Sequence, residues 1–299
     1  VVSDNDVFLQ QCCTRGFQTQ ALSQLERLPA QSLVFSFCNE ASRLTFEIAK
    51  KTPSKQSIFC AVHVFEASVS SALYGLNLIL KSNFCDALQK QRLILKLLDT
   101  YKQFILEGKN TQASVIIAEH STPYAMIEED IGSDFVHSIA EFFEVHYAHM
   151  NTHAPCPFQF KGHLQISGIL TVLRRPQASP DNELKKALED LTQEVAWYTA
   201  MLTVKNNIVT SFKVNDIEYK DLLKRAAGPR HLQLTEFAVG VNSSIGPFIE
   251  YRINSQVNEG ISGVHVALGD GSSGYHIDFL SPDVTFSPFK ANDSRCNNH

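Results

Sequence analysis

Short apolar runs alternate with longer segments of helical spacing along the N-terminal half of the chain. The runs at residues 32–37, 57–66 and 113–120 are rich in valine, isoleucine or phenylalanine, which predicts three strands. Apolar residues recur every three or four positions after the first run and within residues 67–80 and 86–107, which predicts helices. A cap signal at Ser121-Thr122-Pro123 predicts another helix. Repeated strand–helix units favour an open, mainly parallel sheet, so we assign residues 1–155 to an α/β domain.

The pattern changes at residues 151–160, where two prolines in NTHAPCPFQF indicate a boundary. Beyond it, GHLQISGILTVL predicts a strand hairpin, and an apolar stripe predicts a helix from a cap at residues 179–182 to about residue 202. A strand near 208–214, a helix at 219–227 and glycine-bounded strands follow. We therefore assign residues 156–299 to an α+β domain.

The last strands carry polar side chains on one face. His265 alternates with large apolar neighbours, and His276 and Asp278 lie two residues apart, so each points away from the apolar face of its strand. That apolar face comprises Val264, Val266, Leu268, Tyr275, Ile277 and Phe279. A single histidine in such a strand is usually an ordinary hydrogen-bonded residue. With Glu236, however, these residues offer two imidazoles and two carboxylates, enough to hold one divalent transition metal.

The same residues carry a family resemblance. TEFAVGVN, ISGVHVALGDG and the short H-x-D strand resemble the C-terminal half of the thermophilic metalloaminopeptidase (aminopeptidase T type) family, whose fold the iron-dependent 2,5-dihydroxypyridine dioxygenases share. The resemblance is clear over residues 235–279, and it implies that Glu236, His265, His276 and Asp278 are metal ligands.

Two departures from the family pattern bear on the reaction. The peptidases use a further glutamate to hold two metal ions, and Ile169 stands in its place here. The family also has a catalytic tyrosine soon after the first histidine, for which Tyr275 is the candidate in this chain. Four remaining ligands are too few for two ions but sufficient for one. The resemblance therefore implies a divergent member with a single divalent metal.

The ligand set leaves three functions open. Two histidines and one aspartate match the non-haem Fe(II) oxygenases, so we favour Fe(II) and oxygenation of a small aromatic or amino-acid- or peptide-like substrate. Glu236 would then be a fourth ligand, orient a histidine or accept a proton. The same set suits Zn(II) in an aminopeptidase-like hydrolase. A catalytically inactive module that binds a peptide or small ligand is the third alternative.

Substrate contacts are predicted on weaker grounds. His63 and His120 lie near the ends of predicted strands, where ligands of open α/β sheets gather. Arg174, Arg175 and Arg252 could pair with a substrate carboxylate. By contrast, His146, His149 and His153 recur at helical spacing, which we interpret as a solvated helix end.

Composition limits the class of protein. The 299 residues are 44% hydrophobic and 19% charged, as in an ordinary globular protein. A net charge of -5 argues against nucleic acid as a partner, and no apolar run reaches the length of a membrane span. Seven cysteines without a C-x-x-C pair favour a reducing, cytoplasmic setting. A homodimer is the default expectation for its assembly.

Overall fold

The computed structural model describes residues 1–132, 134–174 and 181–289. The strands are β1 (Val2–Ser3), β2 (Gln20–Ala21), β3 (Ser32–Phe35), β4 (Gln56–Cys60), β5 (Gln103–Gly108), β6 (Thr111–Ile117), β7 (Phe135–Ser138), β8 (Glu144–Ala148), β9 (Phe158–Ile166), β10 (Gly168–Val172), β11 (Ala200–Lys205), β12 (Ile208–Val214), β13 (Ile217–Glu218), β14 (Leu234–Gly240), β15 (Gly263–Leu268), β16 (His276–Pro282) and β17 (Thr285–Pro288). The α-helices are α1 (Asp6–Thr14), α2 (Asn39–Lys50), α3 (Val62–Phe65), α4 (Val69–Lys81), α5 (Phe84–Thr100), α6 (Asn182–Trp197) and α7 (Lys220–Ala226).

The first sheet is parallel throughout. Its five strands lie in the order β2-β1-β3-β4-β7. Helices cover both faces: Val34 and Phe59 pack with α2, whereas Phe35 and Cys60 pack with α1 and α4. A strand buried on both faces needs a continuous apolar run, which explains why the sequence pattern predicted β3 and β4 as strands. The mixed α/β class with a parallel sheet is thus confirmed.

The third predicted strand of this sheet is elsewhere. Residues 111–117 form β6, which pairs antiparallel with β5 and β9. Alternate residues of β6 are buried and the others are largely exposed, as expected of an antiparallel strand with one solvated face. The parallel partner of β4 is β7 instead. The helix predicted after Ser121 is also wrong, because residues 121–127 are irregular apart from an isolated bridge at Tyr124, and a short 3₁₀ segment follows at Glu128–Asp130.

The longer helices follow their predicted patterns with shifted ends. The helix predicted to extend to residue 107 ends at Thr100, and β5 begins at Gln103. α6 begins after Asp181, whose Oδ1 accepts a hydrogen bond from the Leu184 N–H. None of the helices in the described residues combines the length and the apolar composition needed to cross a bilayer.

Two antiparallel sheets form a sandwich in the rest of the chain. A seven-stranded sheet has the order β13-β12-β11-β9-β6-β5-β17, and a five-stranded sheet has the order β10-β16-β15-β14-β8. Their facing side chains form the largest core, in which the Phe212 and Phe279 rings lie 5.1 Å apart and the Phe160 and Phe237 rings 6.1 Å apart. The five-stranded sheet thus has one face buried in the sandwich. Its other face is available for a site.

Strand pairing crosses the position that the sequence pattern marks as a boundary. β5, β6 and β8 precede residue 156 but pair with strands that follow it. The predicted hairpin of β9 and β10 is wrong, because these strands belong to different sheets. The division into domains at residues 155 and 156 stays a prediction.

Candidate metal centre

The predicted ligands lie together on the face of the antiparallel five-stranded sheet that is turned away from the sandwich core. Adjacent strands supply them: Glu236 from β14, His265 from β15, and His276 and Asp278 from β16. Their apolar neighbours point into the sandwich core, as strand alternation predicts. The structure therefore brings all four residues to one place.

Alanines in the sheet make room for these side chains to converge. Ala267 pairs with Glu236 on one side and with Asp278 on the other. Ala238 pairs with His265 on one side and with His146 of β8 on the other. Because cross-strand partners point to the same face, only a methyl group separates the two larger side chains at each position. The polar groups can lean over the alanines and meet.

Their donor atoms are close to one another. The His276 Nε2 atom lies 3.0 Å from Asp278 Oδ1 and 3.5 Å from Glu236 Oε2, and the other Glu236 oxygen is 3.6 Å from His265 Nε2. Glu236, His265 and Asp278 offer donor atoms that all lie within 4.8 Å of one another. Ligands around one zinc-sized ion are about 3–4 Å apart, so small side-chain movements would close this set on a cation.

Several polar atoms at the centre are buried without a hydrogen-bond partner among the described residues. They are Glu144 Oε2, His146 Nδ1, His265 Nε2 and Asp278 Oδ2. Each such atom costs about 1–3 kcal/mol when it stays unpaired. Asp278 and His265 are only 1% and 2% exposed, so bulk water does not compensate. Because all four atoms are metal-ligand types, the residues fit a divalent cation.

A glycine turn orients His276. The His276 Nδ1 atom lies 3.1 Å from the Gly269 carbonyl oxygen and donates to it, which leaves the lone pair of the neutral ring on Nε2, toward the carboxylates. Gly269 has φ +72°, and a Cβ there would collide with the Tyr275 carbonyl oxygen. This turn therefore requires glycine and presents His276 as a ligand.

Charges within the centre stabilise one another. Burial opposes ionisation of Glu236, but the neighbouring histidines outweigh it and lower the pKa of this carboxyl. Burial likewise disfavours charged His276, yet Asp278 and Glu236 raise its pKa to about 9. The pKa of His265 is raised by Glu236, Glu144 and Asp278 despite its burial. Without a cation, imidazolium groups balance the carboxylates.

The sequence analysis missed two members of the cluster. Residues 144–148 form strand β8 and not the predicted helix end, and they place Glu144 and His146 beside β14. The Glu144 Oε2 atom is 3.4 Å from His265 Nε2, and Oε1 is 3.1 Å from His146 Nδ1. Against the effect of burial, Glu144 raises the pKa of His146 to about 9. Glu144 and His146 alternate with the buried residues Val145 and Tyr147, and this period of two could have indicated a strand.

Glu259 approaches the cluster from a short 3₁₀ helix, Gln256–Gly260. Burial and the carboxylates of the centre raise its pKa well above the usual value, and the Arg174 guanidinium opposes this shift. Arg174 itself lies next to Gly271, which packs against His276. Arg174 is thus a predicted substrate residue whose charge acts on the centre. No sequence pattern indicated Glu259.

Three other predicted residues line a different cavity. Tyr275, His63 and Arg252 surround a space of about 640 Å³ between α6 and the edge strand β10. The His63 Nδ1 atom is 3.0 Å from Ser36 Oγ, and Arg252 pairs with Glu250 at 3.0 Å. The structure does not bring Tyr275 to the ligand face, because strand alternation turns it toward α6.

Two predicted substrate residues remain, His120 and Arg175. His120 is exposed in a turn after β6. Arg175 lies outside the described residues. His120 does not contribute to the cluster.

The position assigned to the missing glutamate needs correction. Ile169 is fully buried in the sandwich core and pairs with Phe279, on the face opposite the ligands. Leu170 is the residue that faces the ligands, since it pairs with Asp278. Both residues are apolar, so β10 still brings no carboxylate to the centre.

A cleft of about 380 Å³ reaches the centre from the β8 side. It is lined by Pro123, Tyr124, Ala125, Glu141, Glu144 and His146. The Tyr124 ring is 64% exposed and stacks on His146, with centroids 5.1 Å apart. The cleft therefore offers a small ligand a route to buried polar groups.

Comparison with known proteins identifies the family. The family model described as crocagin biosynthetic protein CgnE/B matches residues 1–288, and the chain belongs to this family. No curated protein matches the sequence.

Two solved structures show a distant likeness. AmpT from Thermus thermophilus is 13% identical with a TM-score of 0.45, covering 87% of this chain and 75% of its own. The 2,5-dihydroxypyridine dioxygenase from Pseudomonas putida KT2440 is 10% identical with a TM-score of 0.44, covering 85% and 67%. At these values the likeness supports no conclusion about function.

Proposed function

We propose that this chain is a metal-dependent enzyme of crocagin biosynthesis, and that it is an Fe(II)-dependent oxygenase acting on a small aromatic or amino-acid- or peptide-like substrate. The supporting observation is the convergence, from separate strands on one sheet face, of buried donor atoms that have no hydrogen-bond partner in the described part of the chain. A sheet that needed only stability would place apolar groups there, because such atoms are costly to bury. The family match supplies the biosynthetic setting.

His265, His276 and Asp278 would hold the metal. Two histidines and one carboxylate leave coordination positions open for dioxygen and substrate. When bound, Fe(II) in such a set supplies one-electron chemistry with dioxygen. The Gly269 carbonyl fixes the ring of His276 by accepting from Nδ1.

Two glutamates have different roles beside this set. Glu236 is ionised at neutral pH because the histidines lower its pKa, so it holds both imidazole rings in place or joins the ligands. Burial and the carboxylates of the centre raise the pKa of Glu259, which favours its protonated form. It is therefore the group in the centre that is suited to donate a proton.

The substrate would enter through the cleft at β8. Tyr124 presents an exposed ring at the entrance, and a flat aromatic group can stack on such a ring. The cavity with His63 and Arg252 would serve as a secondary contact region for a longer substrate.

Nitric oxide tests the proposal without a known substrate. We expect anaerobically prepared protein to bind Fe(II), and nitric oxide to give an S = 3/2 electron paramagnetic resonance signal typical of a ferrous site with an open position. His265→Gln should abolish this signal, whereas His163→Gln, on the seven-stranded sheet, should retain it. Absence of iron binding in the wild-type protein would leave the ligand-binding module as the better explanation.

Hydrolysis is the second candidate because two carboxylates flank the predicted ligand His265. The oxygens of Glu144 and Glu236 lie 3.4 and 3.6 Å from His265 Nε2, where they could accept a proton from a water molecule on Zn(II). Zn(II)-loaded protein should then release amino acids from unblocked peptides. Peptide turnover with Zn(II), together with no nitric oxide signal with Fe(II), would favour this function over oxygenation.

A further inference from the structure

We infer that Glu144, His146 and Glu236 form a second cation position beside the first. This inference rests on the proposed function, since Glu236 belongs to both positions, and it goes beyond the single ion proposed above. Donor atoms of the three residues lie within 4.8 Å of one another. The centre would then hold two divalent ions in neighbouring positions.

Unsatisfied polar atoms support the second position independently of the first. Glu144 is only 6% exposed, yet its Oε2 atom has no hydrogen-bond partner among the described residues. His146 Nδ1 also has no well-aligned partner in this part of the structure, although Glu144 Oε1 lies 3.1 Å away. A shared cation would satisfy both atoms.

Glu236 can serve both positions because its two oxygens are directed differently. Oε1 approaches His265 and Oε2 approaches His276. In the donor sets, His146 belongs only with Glu144 and Glu236, whereas Asp278 belongs only with Glu236 and His265. A carboxylate that links two such sets is suited to bridge two ions.

The second position lies on the opposite side of the centre from the glutamate that the aminopeptidase resemblance would require. That glutamate would come from β10, where Leu170 faces Asp278. Glu144 and His146 come from β8 at the other edge of the sheet and also line the cleft. An ion there would be the one nearer to an entering ligand. Mixed nitrogen and oxygen donors suit Mn(II), Fe(II) or Zn(II) better than magnesium.

Metal stoichiometry tests the inference. Metal-free protein is loaded with excess Mn(II), desalted and analysed for manganese per chain. We expect two ions in the wild type, one in His146→Gln and two in the matched control His163→Gln. Glu144→Gln is the second variant if His146→Gln does not fold by circular dichroism, and it should also retain one ion.

Electron paramagnetic resonance gives a readout of proximity. Two Mn(II) ions bridged by one carboxylate couple, so the six-line signal per bound ion should weaken in the wild type and return in His146→Gln. One uncoupled ion in both proteins would overturn the second position and leave the proposed function standing. Two bound ions in both His146→Gln and Glu144→Gln would also overturn the second position. No bound ion in the wild type would overturn both proposals.

Discussion

Metal binding to this centre should displace protons. His276 has a pKa of about 9, so its ring carries a proton at pH 7 when no cation is present, and the pKa of His265 is also raised. A histidine must be neutral to ligate a metal. We therefore expect between one and two protons to be released when the first ion binds at pH 7.

The size of the effect follows from the His276 pKa. At pH 7 the ring is about two pH units below that pKa, so proton competition weakens metal binding about 100-fold, or by about 3 kcal/mol. The apparent affinity should increase with pH and level off above about pH 9. The folding stability of the metal-free protein should instead decrease with increasing pH. A pKa raised from about 6.5 contributes stability that is present below pH 6.5 and is lost as the pH rises through 9.

Isothermal titration calorimetry in buffers of different ionisation enthalpy measures the proton count. The observed heat should vary linearly with the buffer enthalpy, with a slope of one to two protons per ion. His63→Gln is a control outside the centre, because burial lowers the pKa of His63 and it has no proton to release. A buffer-independent heat and a flat pH profile would refute the reasoning, since the histidines would then be neutral or not ligands.

Three further substitutions separate the two faces of the antiparallel five-stranded sheet. Ala267→Leu should place a bulky group between Glu236 and Asp278 and cost about 1–3 kcal/mol of stability. Metal affinity measured by calorimetry should decrease at least 10-fold. The control Val266→Leu, on the opposite face, should overpack the core without the loss of affinity. Normal metal affinity in Ala267→Leu would contradict the assigned face. Phe279→Ala should cost about 3–5 kcal/mol in urea unfolding and leave the metal stoichiometry unchanged, because its ring lies in the sandwich core. A loss below about 1 kcal/mol would be inconsistent with that burial.

Elements with an unambiguous period could be predicted from the sequence. In β15 and β16, large apolar residues flank His265, His276 and Asp278 at every second position, so the face that carries these three residues was predictable. β3 and β4 are short apolar runs between helical segments, which is typical of a parallel sheet. In these segments the local pattern of apolar and polar residues agrees with the burial of the same residues in the folded structure.

Other elements could not be assigned from local pattern. His146 in β8 recurs with His149 and His153 at a spacing that fits a helix, and only the pairing of β8 with β14 decides that the segment is a strand. β6 is apolar enough to resemble a parallel strand, but its partners are β5 and β9. The cavity beside α6 that receives Tyr275 likewise depends on how the helix packs against β10.

Within each strand, the amino-acid sequence alone determined which residues share a face, because backbone geometry turns successive side chains to opposite sides. Only the tertiary structure decided that Glu144 and His146 stand beside Glu236, and that Glu259 approaches them from a loop. Strand order depends on hydrogen bonds and core packing between segments far apart in the chain, and no local pattern records those partners. The sequence alone thus indicated which types of ligand are present, whereas the tertiary structure decided how many of them surround the centre.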